Sequence, residues 1–399
     1  MKDATRCIIH PSVSAEGFDS LAVPVHRAST ILFKDAATYA ARTQRDLDGY
    51  SYGLHGTPTT RTLEAQLTAL EGGQRTVLVP SGQAALAVVL LTVLMPGDSV
   101  LIPDTAYPPL IGLCRGYLQP RGIAWRIYPA DATGLEAMID ASVKLIWMES
   151  PGSTTMEVQD VQAIVALARK HGILTGIDNT WATPLLFKPL DHGVDFSMQA
   201  LSKYVGGHSD LLLGSVTVSD MDLRRRLRDT MRMLGLGISP DDAALALRGI
   251  ETMAVRLAHV GAVGLDFARR LQGMPGMGEI LHPALPGSPG HDLWKRDFKG
   301  ASGLFSVVLP EQTEPYLDAA LNGLKTFRIG SSWGGTRSLI APMSVQSSRT
   351  IPHPRNERTI LRICIGLEDP ADLWADLEAL FAALHLDHQR AAPAAQQEG

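Results

Sequence analysis

Asp195-Phe196-Ser197-Met198-Gln199-Ala200-Leu201-Ser202-Lys203-Tyr204-Val205-Gly206-Gly207 begins as a strand and ends as a site. Val194, Phe196 and Met198 alternate with small or polar residues, the period of a strand with one face in a core. The run then delivers a hydroxyl residue, Ser202, and a single lysine, Lys203, before breaking on paired glycines. An ammonium group is strongly hydrated and is rarely buried unless its amine is occupied. One way to occupy it is covalently, as a Schiff base with an aldehyde. Taken alone, Lys203 reads more simply as a surface lysine ending a strand. The residues upstream change that reading.

Working outward, short β-branched strands alternate with helices. Strands are expected at Thr76–Val79, Ser99–Ile102, Ala124–Tyr128, Val143–Met148, Ile173–Ile177, Val194–Met198 and Leu211–Val218. Helices are expected between them at Ala84–Met95, Pro109–Leu118 and Val161–His171, after an opening helix with Leu63, Leu67 and Leu70 on one face. This alternation calls for an α/β fold built on a large, mainly parallel sheet covered on both faces. The character shifts near residue 220. Helices at Asp222–Leu234 and Pro240–Leu271 precede strands at Phe305–Leu309, Leu324–Arg328 and Ile360–Ile365 and a closing helix, Pro370–Leu384. The expected organisation is an N-terminal arm (1–58) lying on a neighbouring subunit, an α/β domain (59–240) and a smaller α+β C-terminal domain (241–390). The Ala/Pro/Gln tail, 391–399, has the composition of a disordered segment.

A formal charge of −5 carries no basic excess and argues against nucleic acid or an anionic membrane surface as the main partner. The longest apolar run ends at Pro96-Gly97, too short for the roughly 20 residues of a membrane span. Cys7, Cys114 and Cys364 are odd in number and far apart, which points to a reducing, cytoplasmic setting. No metal constellation stands out, and the histidines read as solvated or packed.

Three further positions bear chemistry. Ser81-Gly82-Gln83 lies where a strand enters a helix, whose unpaired N–H groups and dipole favour an anion; an ordinary N-cap serine explains it as well. No Walker-type loop is present, and Gly235-Leu236-Gly237 runs into Pro240, so a nucleotide phosphate is disfavoured. Asp178 ends an apolar strand at the sheet edge where ligands bind, and a carboxylate beside that core needs a partner such as a pyridinium N–H, or else caps the next loop. Tyr107, also after a strand, could lay its ring on a planar cofactor or be a core aromatic.

Anion cradle, aromatic face, strand-end Asp178 and then Ser202-Lys203 form an order that resembles pyridoxal-phosphate enzymes of the aspartate-aminotransferase fold type I. The resemblance sharpens with Glu149-Ser150-Pro151-Gly152-Ser153-Thr154-Thr155-Met156-Glu157-Val158, Asp178-Asn179-Thr180-Trp181-Ala182 and Gln199-Ala200-Leu201-Ser202-Lys203-Tyr204. These are similar to the Cys/Met metabolism (transsulfuration) family. His282-Pro283-Ala284-Leu285-Pro286-Gly287-Ser288, Trp294-Lys295-Arg296-Asp297-Phe298 and Ser332-Trp333-Gly334-Gly335 resemble its β-eliminating branch.

The resemblance implies pyridoxal 5′-phosphate as cofactor and α,β-elimination from a sulfur amino acid, with cystathionine the expected substrate. It implies that Lys203 holds the cofactor and moves the proton, that Asp178 pairs with the pyridine nitrogen and that Tyr107 stacks on the ring. Ser81, Gly82, Gln83 and Ser202 are implied to hold the phosphate. Arg362 is implied for the substrate carboxylate, with Ser332 and Trp333 beside the substrate. Tyr52 is implied to reach in from a neighbouring subunit, hence a homo-oligomer, in this family usually a tetramer. A γ-lyase, γ-synthase or broader cysteine-S-conjugate β-lyase of the same family, a transaminase, and a non-catalytic relative are the competing expectations. Two departures are visible. Where the family has Tyr-x-Arg, this chain reads Tyr52-Gly53-Leu54, which removes a cation from the phosphate and leaves His55 or Arg61 as candidate substitutes. Ser153 stands where the γ-eliminating and synthase branches usually carry Asn, which favours the β-lyase branch.

Overall fold

Strand order explains how residues far apart in sequence meet at one edge. The computed structural model describes residues 2–8, 14–44, 48–274 and 276–390. Its larger sheet contains β1 (Arg75–Val79), β2 (Ser99–Pro103), β3 (Ala124–Tyr128), β4 (Val143–Glu149), β5 (Leu174–Asp178), β6 (Phe196–Ala200) and β7 (Gly214–Val218), in the order β1-β7-β6-β5-β4-β2-β3. Strands β2 to β6 are mutually parallel, whereas β7 is antiparallel to both β6 and β1. Two reversals cancel, so β1 runs in the same sense as β6. The carboxyl ends of β1, β2, β4, β5 and β6 therefore share one edge, where ligands of open α/β sheets bind.

The helices follow from local signals. Helix α1 (Pro58–Glu71) starts with a capping box between Thr57 and Thr60 and stops at Gly72 in the left-handed region, φ 75°. Its Leu63 and Leu67 are fully buried, and each such leucine is worth about 1.5–3 kcal/mol relative to exposure. At its end Glu71 is buried too, accepting from Ser197 Oγ at 3.0 Å and from Gln199 Nε2 on the face of β6 away from Phe196 and Met198. Helix α2 (Gly82–Val93) is apolar along its length and packs across β6 and β7. Helix α3 (Pro108–Leu113) stops short of the expected Leu118, continuing as a π-turn over Cys114–Leu118. Helix α4 (Val161–Lys170) is capped by Asp160. Then come α5 (Met221–Leu234) and α6 (Pro240–Gln272), the latter opened by Ser239 and Pro240.

The second sheet has the order β10-β11-β12-β9-β8, formed by β8 (Ile280–Leu281), β9 (Leu304–Val308), β10 (Arg328–Ile329), β11 (Leu339–Met343) and β12 (Ile360–Cys364). The expected strand over Leu324–Arg328 is mostly absent. The Asp376 carboxylate accepts from the backbone N–H groups of Lys325, Thr326 and Phe327, leaving those donors none for a ladder. Strand β11 lies outside the expected strands and contains Pro342, which has no N–H for a ladder. It is tolerated because β10 pairs only with Leu339 and Ile340. Along β12, Leu361 and Ile363 face α6 and α7 (Pro370–Arg390), whereas Ile360 and Cys364 join the cluster shared with β4 and β5. Alternation puts Arg362 on that second face, toward the large sheet. Helix α7 runs beyond the expected Leu384. The tail 391–399 lies outside the described residues. No helix among the described residues is long and apolar enough to cross a membrane.

Candidate active site

A cavity of about 290 Å³ opens at the shared strand edge. Ser81 and Gly82 reach it from the end of β1, Tyr107 from β2, Glu149 from β4, Asp178 from β5, and Ser202 and Lys203 from the turn after β6. Ser331, Trp333 and Arg362 close it from the second sheet. Each of the implied cofactor positions except Tyr52 thus lines one space.

The cradle at α2 has little room to spare. Ser81 Oγ caps the helix by accepting from the N–H of Ala84 at 3.1 Å, and Gln83 Nε2 donates to the carbonyl of Pro109 at 3.1 Å. Gln83 Oε1 is buried without a partner. A Cβ on Gly82 would stand 2.6 Å from that of Ala200, so only glycine lets the helix start against β6 here. Also on the cavity lining, Asp178 Oδ1 accepts the N–H of Thr180 at 2.9 Å. Burial raises the Asp178 carboxyl above the usual carboxylate range, against the lowering by Thr180 and Lys203. A carboxylate so placed calls for a cationic partner.

Lys203 Nζ donates to Ser332 Oγ at 2.7 Å and sits 5.4 Å from the centre of the Trp333 ring. Burial, and next the Arg362 guanidinium, lower its pKa, an amine already disposed to give up its proton. Gly334, at φ 83°, lets the Ser332–Gly334 turn approach the backbone of Lys203 and Tyr204; a Cβ there would lie 2.9 Å from the Tyr204 nitrogen. Arg362 is 8% exposed, and its Nη2 donates to the Ser331 carbonyl. The cavity lining offers two cations, Lys203 and Arg362.

These residues fit pyridoxal phosphate: a helix N-terminus whose N–H groups favour an anion, a buried carboxylate and a buried amine line one cavity. Tyr52 is elsewhere in its own chain, 48% exposed, with its phenol accepting from Ser29 Oγ at 3.3 Å. Leu54 packs toward Gly237. Arg61 is committed to the His55 carbonyl and Glu64, both at 2.6 Å, and neither His55 nor Arg61 lines the cavity of its own chain. Glu149, which opens the motif Glu149–Val158 without a role of its own in the sequence, lines the cavity and accepts the Tyr107 N–H at 2.6 Å. The signal was present: an acid ending the apolar strand Val143–Met148, as Asp178 ends its own. Among the described residues no group of three or more His, Cys, Asp or Glu side chains is placed to hold a metal ion.

The model of the Cys/Met metabolism PLP-dependent enzymes matches residues 4–382. The chain is 44% identical to a putative cystathionine beta-lyase of Rhizobium johnstonii, covering 90% of this chain and 91% of that one. It is 39% identical to cystathionine beta-lyase MetC of Escherichia coli, over 90% and 93% of the two chains. It is also 38% identical, over 92% and 93%, to an L-alanine/L-glutamate racemase of Wolbachia pipientis. Among solved structures, cystathionine gamma synthase of Xanthomonas oryzae pv. oryzae superposes with a TM-score of 0.85 at 31% identity, over 93% and 95% of the two chains.

Proposed function

The chain belongs to the Cys/Met metabolism PLP-dependent enzyme family, and on that footing we propose that it cleaves L-cystathionine by α,β-elimination to homocysteine, pyruvate and ammonia. The observation that carries this reading is the meeting of Lys203, Asp178 and Arg362 on one cavity in a chain 44% and 39% identical to proteins named for that activity.

Bound pyridoxal phosphate supplies an electron sink for charge developing at the substrate α-carbon. The rest falls to side chains. Lys203 would anchor the cofactor covalently, and its amine, when free, would take the proton from the α-carbon. Burial, and next Arg362, lower the pKa of Lys203 Nζ, which favours the unprotonated amine that a base must present. Ser332, 2.7 Å from that amine, holds its direction. Asp178 would keep the ring nitrogen protonated, and Tyr107 would lie against the ring. Ser81, Gly82, Gln83 and Ser202 would receive the phosphate. Arg362 grips the α-carboxylate through its guanidinium fork, with Trp333 beside the substrate. The protonated Lys203 amine then returns its proton to the departing thiolate. Water completes the balance, releasing pyruvate and ammonia from the remaining three carbons.

The proposal extends to a homo-oligomer, a dimer of dimers in the cytoplasm, with the arm of residues 1–58 bringing Tyr52 to a neighbouring site. The division into domains 59–240 and 241–390 belongs to the same proposal. The test is turnover of L-cystathionine with both oxo-acid products measured. Pyruvate supports β-cleavage, whereas 2-oxobutyrate would assign the chain to the γ-cleaving alternative.

A second reading has one specific observation behind it, the racemase at 38% identity. Racemisation also begins with loss of the α-proton, and the Tyr107 phenol shares the cavity with Lys203. Incubation with L-alanine or L-glutamate and chiral separation of the products decides it. Formation of D-enantiomer without pyruvate from cystathionine would displace the lyase reading.

A further inference from the structure

Glu149 has no role in the scheme above, yet it faces the cavity and touches the backbone that carries Tyr107. The register of β4 on β5 sets Glu149 directly beside Asp178. Two carboxyls at adjacent strand ends are costly if both ionise, and burial and then Asp178 raise the Glu149 pKa well above the ordinary value. A second carboxyl in this place needs a reason.

The reason lies in the loop before α3. Tyr107 is the N-cap residue of that six-residue helix, without a side-chain capping bond. Pro108 and Pro109 follow, and proline has no N–H. The Tyr107 amide is therefore the last backbone donor before Leu110. Glu149 Oε2 accepts it at 2.6 Å. Glu149 is itself fixed, because its own N–H donates to Oε1 of the fully buried Gln159 at 2.9 Å. Upstream, Asp104 Oδ1 accepts the Thr350 N–H at 2.8 Å and the Thr350 hydroxyl at 3.1 Å, which holds the other end of the loop. Tyr107 remains 43% exposed, so packing contributes little to holding its ring.

We infer that Glu149 is a positioning residue that sets the ring of Tyr107 against the bound cofactor by holding the Tyr107 amide. The inference rests on the reading that Tyr107 lies on the cofactor ring, but on no choice of amino-acid substrate. It is tested on holoenzyme by visible circular dichroism of the bound cofactor and by its dissociation rate, neither of which depends on turnover. Glu149→Leu has no acceptor for the amide. It is expected to weaken the visible dichroic band at least twofold and to speed cofactor loss roughly tenfold. Glu149→Gln, neutral and of the same length, retains an acceptor oxygen and is expected to keep both properties within a factor of about two.

The deciding arm is the Tyr107→Ala background, where adding Glu149→Leu is expected to change nothing further. An undiminished Glu149→Leu effect in that background, or none in the native one, overturns the inference. If Tyr107→Ala alone leaves the band and the rate unchanged, the stacking reading fails and the inference falls with it. Should Glu149→Leu not fold, Glu149→Asp, shorter by one methylene, carries the same expectations in both backgrounds. The cystathionine assay can fail without touching any of these outcomes.

Discussion

Replacing Glu71 by Gln should stabilise the protein at alkaline pH and leave it nearly unchanged at acid pH. Glu71 is 1% exposed, and its two oxygens accept from Ser197 and Gln199. Burial pushes its carboxyl up to about 7 from the ordinary 4.5, against the lowering by those two donors and Lys188, while Asp191 adds to the rise. An acid whose folded pKa is raised holds its proton more tightly when folded. Its contribution is fully present below about pH 4.5, falls as pH climbs through 7, and is constant above. Holding the carboxyl near 7 rather than 4.5 corresponds to about 3 kcal/mol, at about 1.4 kcal/mol for each pH unit. Glutamine never ionises. Its oxygen can accept from Gln199, and its amide can donate to the Ser197 hydroxyl, which has lone pairs to receive it. Urea unfolding with saturating cofactor, at pH 5 and pH 8.5, should therefore find the variant within about 1 kcal/mol of the native protein at the lower pH and about 2–3 kcal/mol more stable at the higher. An equal loss of stability at both pH values would refute the reasoning, since it would mean that Glu71 is a well-paired anion whose charge the site requires.

Two outcomes bear on the site itself. Lys203→Ala should abolish the borohydride-reducible cofactor adduct and lower kcat on the order of 10⁴-fold or more, since it removes anchor and base together; an adduct surviving the substitution would show that the anchor is elsewhere. Arg362→Lys keeps the charge but loses the fork, and KM for the amino acid should rise roughly 10- to 100-fold, with an unchanged KM arguing that the carboxylate is bound by another group.

The parallel-dominated sheet was legible because its strands are short, β-branched and regularly interrupted by helices, and a sheet covered on both faces requires little else of a sequence. The strand-end chemistry of Asp178 and Lys203 was legible for the same reason, since topology alone dictates where strand ends go. What escaped notice depended on side chains far away in sequence. Asp376 captures three amides near Phe327 and denies them to a strand. Glu149 gains its meaning only once β2 is placed beside β4, bringing Tyr107 within reach of an acid that follows it by some forty positions. Arg362 looks like any exposed strand residue until alternation along β12 turns it inward with Ile360 and Cys364. A carboxylate-binding role for it is implied by family resemblance alone. Glu71 gave no hint at all, because an acid at the end of a helix is ordinarily solvated.

The position of β7 between β1 and β6 has a consequence for synthesis. Ser81 follows β1 and Lys203 follows β6, and no hydrogen bond joins those two strands directly. They become neighbours at one remove when Gly214–Val218 enters between them, with Gly214 lying so close to Ser81 that a Cβ would meet its carbonyl oxygen at 2.3 Å. A nascent chain that extends only as far as Lys203 thus still lacks the strand that sets Ser81 and Lys203 along one edge. The cavity that Ser81 and Lys203 both line is completed only once β7 has been made and inserted between their strands.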